Sequence, residues 1–305
     1  MTDEQYDFRT DQDLNLVITD SGLGGLSICA GIERNVRHAG RSGNTRLTYF
    51  NAWPEPRSGY NDMPDPQTRA RIFNRAVVRM ADLRPDRILI ACNTLSILYP
   101  LTDYQRTASI PVIGIIDVGV GLFCEALIAD PSGSILLLGT RITIESGIHR
   151  ERLLQSGIQD HRIAALACHG LAAAIDKDPD SKAVLELIDR YASEACQAGL
   201  IGNRTYIGLC CTHFGYVKDE IHSAFVRRTG KEIRILNPNQ RMADCTVPPG
   251  ERGSLEADKG RIAVEVISKV ELSDHQRRAM AGRLESVSGS TARALLSYTW
   301  IPDLF

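Results

Sequence analysis

The chain has 305 residues, enough for two domains of about 100 to 150 residues each. Hydrophobic residues make up 43% and charged residues 24%, an ordinary globular composition that excludes a disordered or fibrous chain. With 35 basic against 37 acidic residues and a formal net charge of −2, no global field recommends nucleic acid or an anionic membrane as partner, which leaves a small-molecule ligand as the better expectation.

The first segment, MTDEQYDFRTDQDLN, is acidic and polar and lacks the basic start and apolar core of a signal peptide; no later apolar run reaches about 18 residues. A cytoplasmic protein is expected, whose eight cysteines are too sparse for a disulfide scaffold and should be thiols. Short runs rich in Val, Ile and Leu then alternate with helical stretches, the pattern of a parallel sheet with crossover helices. The candidate strands are LNLVITD ending at Asp20, RLTYFN at Asn51, RILIAC at Cys92, IPVIGI at Ile115, SILLLGT at Thr140, RIAALAC at Cys168, TYIGLCC at Cys211 and EIRILN at Asn237. Beyond them NPNQRMADCTVPPGERGSLEADKG reads as loop, IAVEVISKV as a strand and the tail after Asp274 as helix.

Cys92 and Cys211 are 119 residues apart, and so are Asp20 and Gly139. Two further strand pairs fall at nearly the same offset, so four consecutive strands of the first half have partners in the second. The expected fold is α/β, with two pseudo-symmetric domains, each a mainly parallel sheet flanked by helices. Ligands of open α/β sheets bind outside the carboxyl ends of the strands, which places one site at the domain interface with both cysteines facing it.

Cys92 is followed by Asn-Thr-Leu-Ser, where Asn93, Thr94 or Ser96 could cap a helix. The positive end of that helix would favour a thiolate and bind a carboxylate. Cys211 repeats the arrangement with Thr212 and His213. Two acid/base groups of one kind, placed symmetrically about a carbon, suit a reaction whose two directions are mirror images: one thiolate removes an α-proton and the opposite thiol delivers another. Asp20 is expected near Cys92 and His213 near Cys211, each tuning its thiol.

The turn Asp-Ser-Gly-Leu-Gly-Gly at 20 to 25 resembles a nucleotide loop but fails on spacing: the third dinucleotide-fingerprint glycine falls at Ser27, and no Gly-Lys-Ser/Thr occurs. A carboxylate of a small substrate, held by Ser21 and backbone amides, fits better. The soft ligands Cys168, His169, Cys210, Cys211 and His213 match no standard zinc spacing, and adjacent strand residues point to opposite faces, so no metal is expected. No cofactor is expected either: the first lysine is Lys177, and none follows a strand of the site region to form a pyridoxal Schiff base. The arginine of a cysteine phosphatase is absent too, its positions being Leu98 and Val217.

Thr-Asp-Ser-Gly-Leu-Gly-Gly-Leu-Ser at 19 to 27, Ala-Cys-Asn-Thr at 91 to 94, Pro-Val-Ile-Gly at 111 to 114, Gly-Thr-Arg-Ile-Thr-Ile-Glu-Ser-Gly at 139 to 147 and Cys-Thr-His at 211 to 213 together resemble the glutamate racemase family, within the aspartate/glutamate racemase superfamily. The resemblance spans nearly the whole chain. It implies Cys92 and Cys211 as the two bases assisted by Asp20 and His213, with Asp176 matching an acid behind the second cysteine where Glu is more usual. It implies substrate contacts at Ser21, Asn93, Thr94 and Thr212, and at Tyr60 and Asn61 in a substrate-holding loop. It also implies a homodimer without cofactor, and a C-terminal part returning to the first domain, giving domains of roughly 1–99 plus 218–305 and 100–217.

The departures cluster in that loop, Asn51-Ala52-Trp53-Pro54 followed by Gly59-Tyr60-Asn61, where the family has Asp-Thr-Ala-Arg and Pro-Tyr-Gly. Loops on a rigid scaffold set specificity, so glutamate stands beside aspartate or another acidic amino acid as expected substrate. A descendant that binds such an acid without turning it over is the alternative from a different class. Both cysteines are present, which disfavours the superfamily's one-thiol decarboxylases.

Overall fold

A computed structural model describes residues 11–56, 58–248 and 260–305. The acidic first ten residues and the 249–259 part of the expected loop lie outside the described residues. The first half runs β1 (Leu14–Asp20), α1 (Leu26–Ala39), β2 (Thr45–Asn51), α2 (Pro66–Asp82), β3 (Arg87–Ile90), α3 (Asn93–Leu98), α4 (Asp103–Thr107), β4 (Val112–Gly114) and α5 (Ile115–Ala129). The second runs β5 (Ser134–Gly139), α6 (Arg141–Glu145), α7 (Ile148–Gln155), β6 (Ile163–Ala167), α8 (Leu171–Lys177), α9 (Lys182–Gln197), β7 (Arg204–Cys210), α10 (Lys218–Thr229) and β8 (Glu232–Leu236). There follow α11 (Pro238–Thr246), β9 (Ile262–Ser268), α12 (Asp274–Glu285), α13 (Gly289–Leu296) and β10 (Thr299–Trp300).

Two sheets result, ordered β10-β9-β2-β1-β3-β4 and β6-β5-β7-β8. Every pairing is parallel. Such strands are covered on both faces, which is why β1, β5 and β7 read as continuous apolar runs and are buried almost throughout. The core of each sheet repeats one order. The repeat holds residue by residue at its centre: Leu16 pairs with Arg87, and Ile135, 119 residues on, pairs with Tyr206, again 119 residues on. Outside that pair the connections differ in length, so the flanking strands lose the strict offset.

The strand membership moves both expected crossings. β4 lies in the first sheet beside β3, and β8 lies in the second beside β7, so boundaries at 99/100 and 217/218 are each drawn too early. After β8 the chain returns to the first sheet as β9 and β10. A second correction concerns 238–246, expected as loop and found as α11. Its Asn-Pro start is a helix cap: Asn237 accepts from the backbone N–H of Asn239, and Pro238 occupies the first turn, where a missing N–H costs nothing. Met242 and Ala243 are buried in the main core cluster with α1 residues.

Candidate active site

Ends of strands from both sheets meet at a cavity of about 420 Å³. The first domain lines it with Asp20, Ser21, Tyr60, Asn61, Cys92, Asn93 and Thr94, and the second with Asp176, Cys211, Thr212 and His213. The side chains suggested as acid/base or substrate-contact groups thus line one cavity, whereas Ser96, a candidate cap, is not among its lining residues.

Cys92 follows β3 and is itself the N-cap of α3, in place of the expected Asn93, Thr94 or Ser96; its Sγ accepts from the backbone N–H of Leu95 at 3.5 Å. Ser21 Oγ lies 3.3 Å from that sulfur. Burial pushes the Cys92 thiol well up from its ordinary value, and the Asp20 carboxylate beside it adds to the rise. The helix end thus does not produce a resting thiolate as expected, because desolvation and a like charge outweigh it. Asp20 is itself raised by burial, opposed by His213 and by hydrogen bonds including that from Thr212. Thr212 Oγ1 donates to Asp20 Oδ2 at 2.7 Å, tying the second domain to the acid behind the first cysteine.

Cys211 precedes a 3-10 turn, Thr212–Val217, without capping it through its side chain, and α10 follows, so the α-helix expected directly after this cysteine starts later. Its Sγ lies 3.8 Å from His213 Nδ1, and His213 Nε2 lies 2.8 Å from Asp176 Oδ1. An aspartate therefore reaches the histidine where a glutamate is more usual. Burial opposes charge on this imidazole, but Asp176 and Cys211 outweigh it and raise its pKa well above the ordinary value. Asp176 is tied down from both sides: Leu23 N donates to Oδ1 at 2.8 Å and Gln276 Nε2 to Oδ2 at 2.6 Å.

The glycine-rich turn is a close-packing device. A Cβ on Gly24 would sit 2.5 Å from Thr212 Oγ1 and 2.8 Å from His213 N, and one on Gly25 would sit 2.8 Å from Ala91 Cβ. Buried tyrosines from both domains clamp its carbonyls, Tyr49 donating to Gly22 O at 2.7 Å and Tyr216 to Leu23 O at 3.0 Å. The expectation that its amides hold a substrate carboxylate is corrected in part. Ser21 N donates to Asp20 Oδ1 and Leu23 N to Asp176, so these two amides hold the protein's own carboxylates.

Several lining residues escaped the sequence reading. Thr140 and Thr143 lay in a quoted motif and form the capped start of α6 at the cavity, their hydroxyls 3.0 Å apart. Gln276 lies 100 residues from Asp176 and carried no local signal. Lys177, which follows no strand, nevertheless lines the cavity, as does Arg141; both are exposed. Trp53, from the divergent loop, lines it with its indole Nε1 buried and without a partner among the described residues. Cys210 packs into the second sheet's core cluster while Cys211 joins the main one. Among the described residues no group of three or more His, Cys, Asp or Glu is placed to hold a metal ion, and no helix is long and apolar enough to cross a membrane.

The family model for Asp/Glu/Hydantoin racemases matches residues 17–245. The chain belongs to that family. As a member of that family it is an isomerase. It is 25% identical over 226 residues to a glutamate racemase of Streptococcus suis, covering 74% of this chain and 76% of that one. The structure of a glutamate racemase isoform from Bacillus anthracis superposes with a TM-score of 0.61 at 20% identity, over 94% of this chain and 95% of that one. That of the Francisella tularensis glutamate racemase in complex with D-glutamate gives 0.61 at 15% identity, over 96% of both.

Proposed function

We propose that this protein interconverts L- and D-glutamate without a cofactor, using Cys92 and Cys211 as the two proton-transfer groups. The observation that carries the proposal is the placement of the two thiols. They follow equivalent strands of two equivalent sheets and line one cavity between them. Glutamate as substrate is supported by the relatives, which carry that activity in their names.

The surroundings of the sulfurs suggest how a turnover starts. His213, whose charged form Asp176 favours, stands 3.8 Å from the Cys211 sulfur, while burial and Asp20 favour the protonated form of Cys92. The Cys211 thiolate takes the α-proton, breaking the C–H bond and leaving its electron pair on the α-carbon. The Cys92 S–H then gives its proton to the opposite face. The reverse reaction starts from the opposite protonation state, so the two enantiomers use different thiols as base. Ser21, Asn93, Thr94 and Thr212 hold the amino-acid end of the substrate, and Tyr60 and Asn61 its side chain. We further propose that the enzyme acts as a cytoplasmic homodimer and supplies D-glutamate for peptidoglycan.

The test is α-proton exchange followed by NMR in deuterated buffer, without added cofactor, over L- and D-amino acids including glutamate and aspartate. Exchange with inversion of glutamate is expected. Exchange confined to aspartate or another acid would keep the two-thiol chemistry and discard glutamate; binding without exchange of any amino acid would discard racemisation. Light scattering should give twice the chain mass, and a monomer would overturn the dimer.

A further inference from the structure

His149 takes no part in the chemistry above, yet it is buried to 3% exposure at the start of α7 and faces the residue that follows Cys92. Its Nε2 lies 3.0 Å from Asn93 Oδ1, a contact that crosses from the second domain to the first. The ring packs beside Phe123 of α5, with centroids 6.5 Å apart. Two atoms of this pair have no partner among the described residues: His149 Nδ1 and Asn93 Nδ2. Burial, helped by Arg152, lowers the His149 pKa to about 4, so near neutral pH the ring is uncharged and carries a single proton.

Only two arrangements satisfy the 3.0 Å contact with a neutral ring. In one, Nε2–H donates to Oδ1, Nδ1 is a bare lone pair, and the amide keeps its NH2 free. In the other the amide is turned over, Nδ2–H donates to Nε2, and the ring proton sits on Nδ1, a buried N–H facing no acceptor. Each arrangement leaves a buried donor unpaired, the Asn93 NH2 in the first and the ring Nδ1–H in the second; Asn93 lines the cavity and His149 does not, so only the first donor can be met by a ligand, which favours the first. The choice decides what Asn93 offers a ligand. A carboxylate only accepts hydrogen bonds, and Asn93 lines the cavity.

We propose that His149 is a positioning residue: its Nε2–H fixes the Asn93 carboxamide so that the NH2 end is available to a carboxylate of the amino-acid substrate. This rests on the racemase reading, and its tests separate the two. In the full-length protein, 15N NMR of the imidazole should show a neutral Nε2–H tautomer, with or without substrate. His149→Phe, which keeps an aromatic ring and removes the donor, should raise KM and the calorimetric Kd for glutamate about tenfold, with kcat changing less. His149→Gln, whose amide can occupy the Nε2 position, should restore affinity to within about threefold of the parent. In an Asn93→Ala background His149→Phe should add less than about a twofold further loss.

An Nδ1–H tautomer, a His149→Phe loss undiminished in that background, or a Gln variant no better than Phe would overturn the proposal. A merely structural role predicts those last two results, with a loss of thermal stability in their place. Should His149→Phe fail to fold, the tautomer and the Gln variant still decide. A parent enzyme that exchanges no α-proton sinks the racemase reading, while the tautomer and the glutamate Kd values still judge His149.

Discussion

The surroundings of Cys92 and Cys211 share a backbone plan and differ in what stands behind each sulfur. Behind Cys92 are a hydroxyl and a buried acid, Ser21 and Asp20; behind Cys211 is an imidazole backed by Asp176, itself held by Gln276. A carboxylate beside a buried thiol keeps the proton on sulfur, whereas a carboxylate behind an imidazole favours that ring's charged form. Sheet symmetry places two like groups, and side chains then give them unlike surroundings. That suits a substrate whose α-hydrogen changes face while its carboxylate, amino group and side chain must each find a fixed partner.

The comparison is broken most completely at the sulfurs. Cys92→Ser and Cys211→Ser should each abolish inversion, a loss of about 10³-fold or more, while each variant can still exchange the α-proton of one enantiomer. Opposite enantiomers are expected for the two variants. Equal residual racemase activity in both would defeat the two-base assignment.

Asp176→Asn should sharpen the difference between the halves, lowering kcat by about 10²-fold. Without the carboxylate, burial is opposed by Cys211 alone of these two partners, so the His213 pKa should fall from its raised value, as followed by NMR titration. In the parent, the raised His213 pKa contributes stability that is fully present below the unfolded value of about 6.5 and lost as pH rises through the folded value. The melting-temperature deficit of the variant should therefore be largest below about pH 6.5 and shrink as pH rises above it. A deficit that grows with pH would contradict the assignment.

The smallest expected effect is at the link between the halves. Thr212→Val removes the donor to Asp20 with little change of shape, at a cost of about 1 kcal/mol in denaturant unfolding. It should affect Cys92 chemistry more than Cys211 chemistry, seen as unequal deuterium isotope effects in the two directions of racemisation. Unchanged isotope effects would mean that Thr212 serves the Cys211 half alone.

Much of the fold was legible because its signals are local. Alternating apolar runs and helical stretches marked the strands, and the 119-residue spacing of Cys92 and Cys211 reflects the register of β1 with β3 and of β5 with β7. Less was legible where one local signal supports two structures. Asn237-Pro238 begins a loop or a helix equally well, and burial of Met242 and Ala243 decides for the helix. The glycines at 22 to 25 marked a turn, but only the facing Thr212 and His213, with Asp176 against Gly22 and Ala91 against Gly25, explain their lack of a Cβ.

By itself the sequence determined the two α/β repeats, the thiols at matching strand ends and the polar residues next to them, since each follows from periodicity and short spacing along the chain. Tertiary structure alone decided that Leu23 N and Gln276 hold Asp176, that Thr212 holds Asp20, and that His149 faces Asn93. These contacts join residues from 56 to 192 positions apart. A hydrogen bond at such separation leaves no pattern in the chain, because its geometry exists only once two sheets have packed their strand ends together.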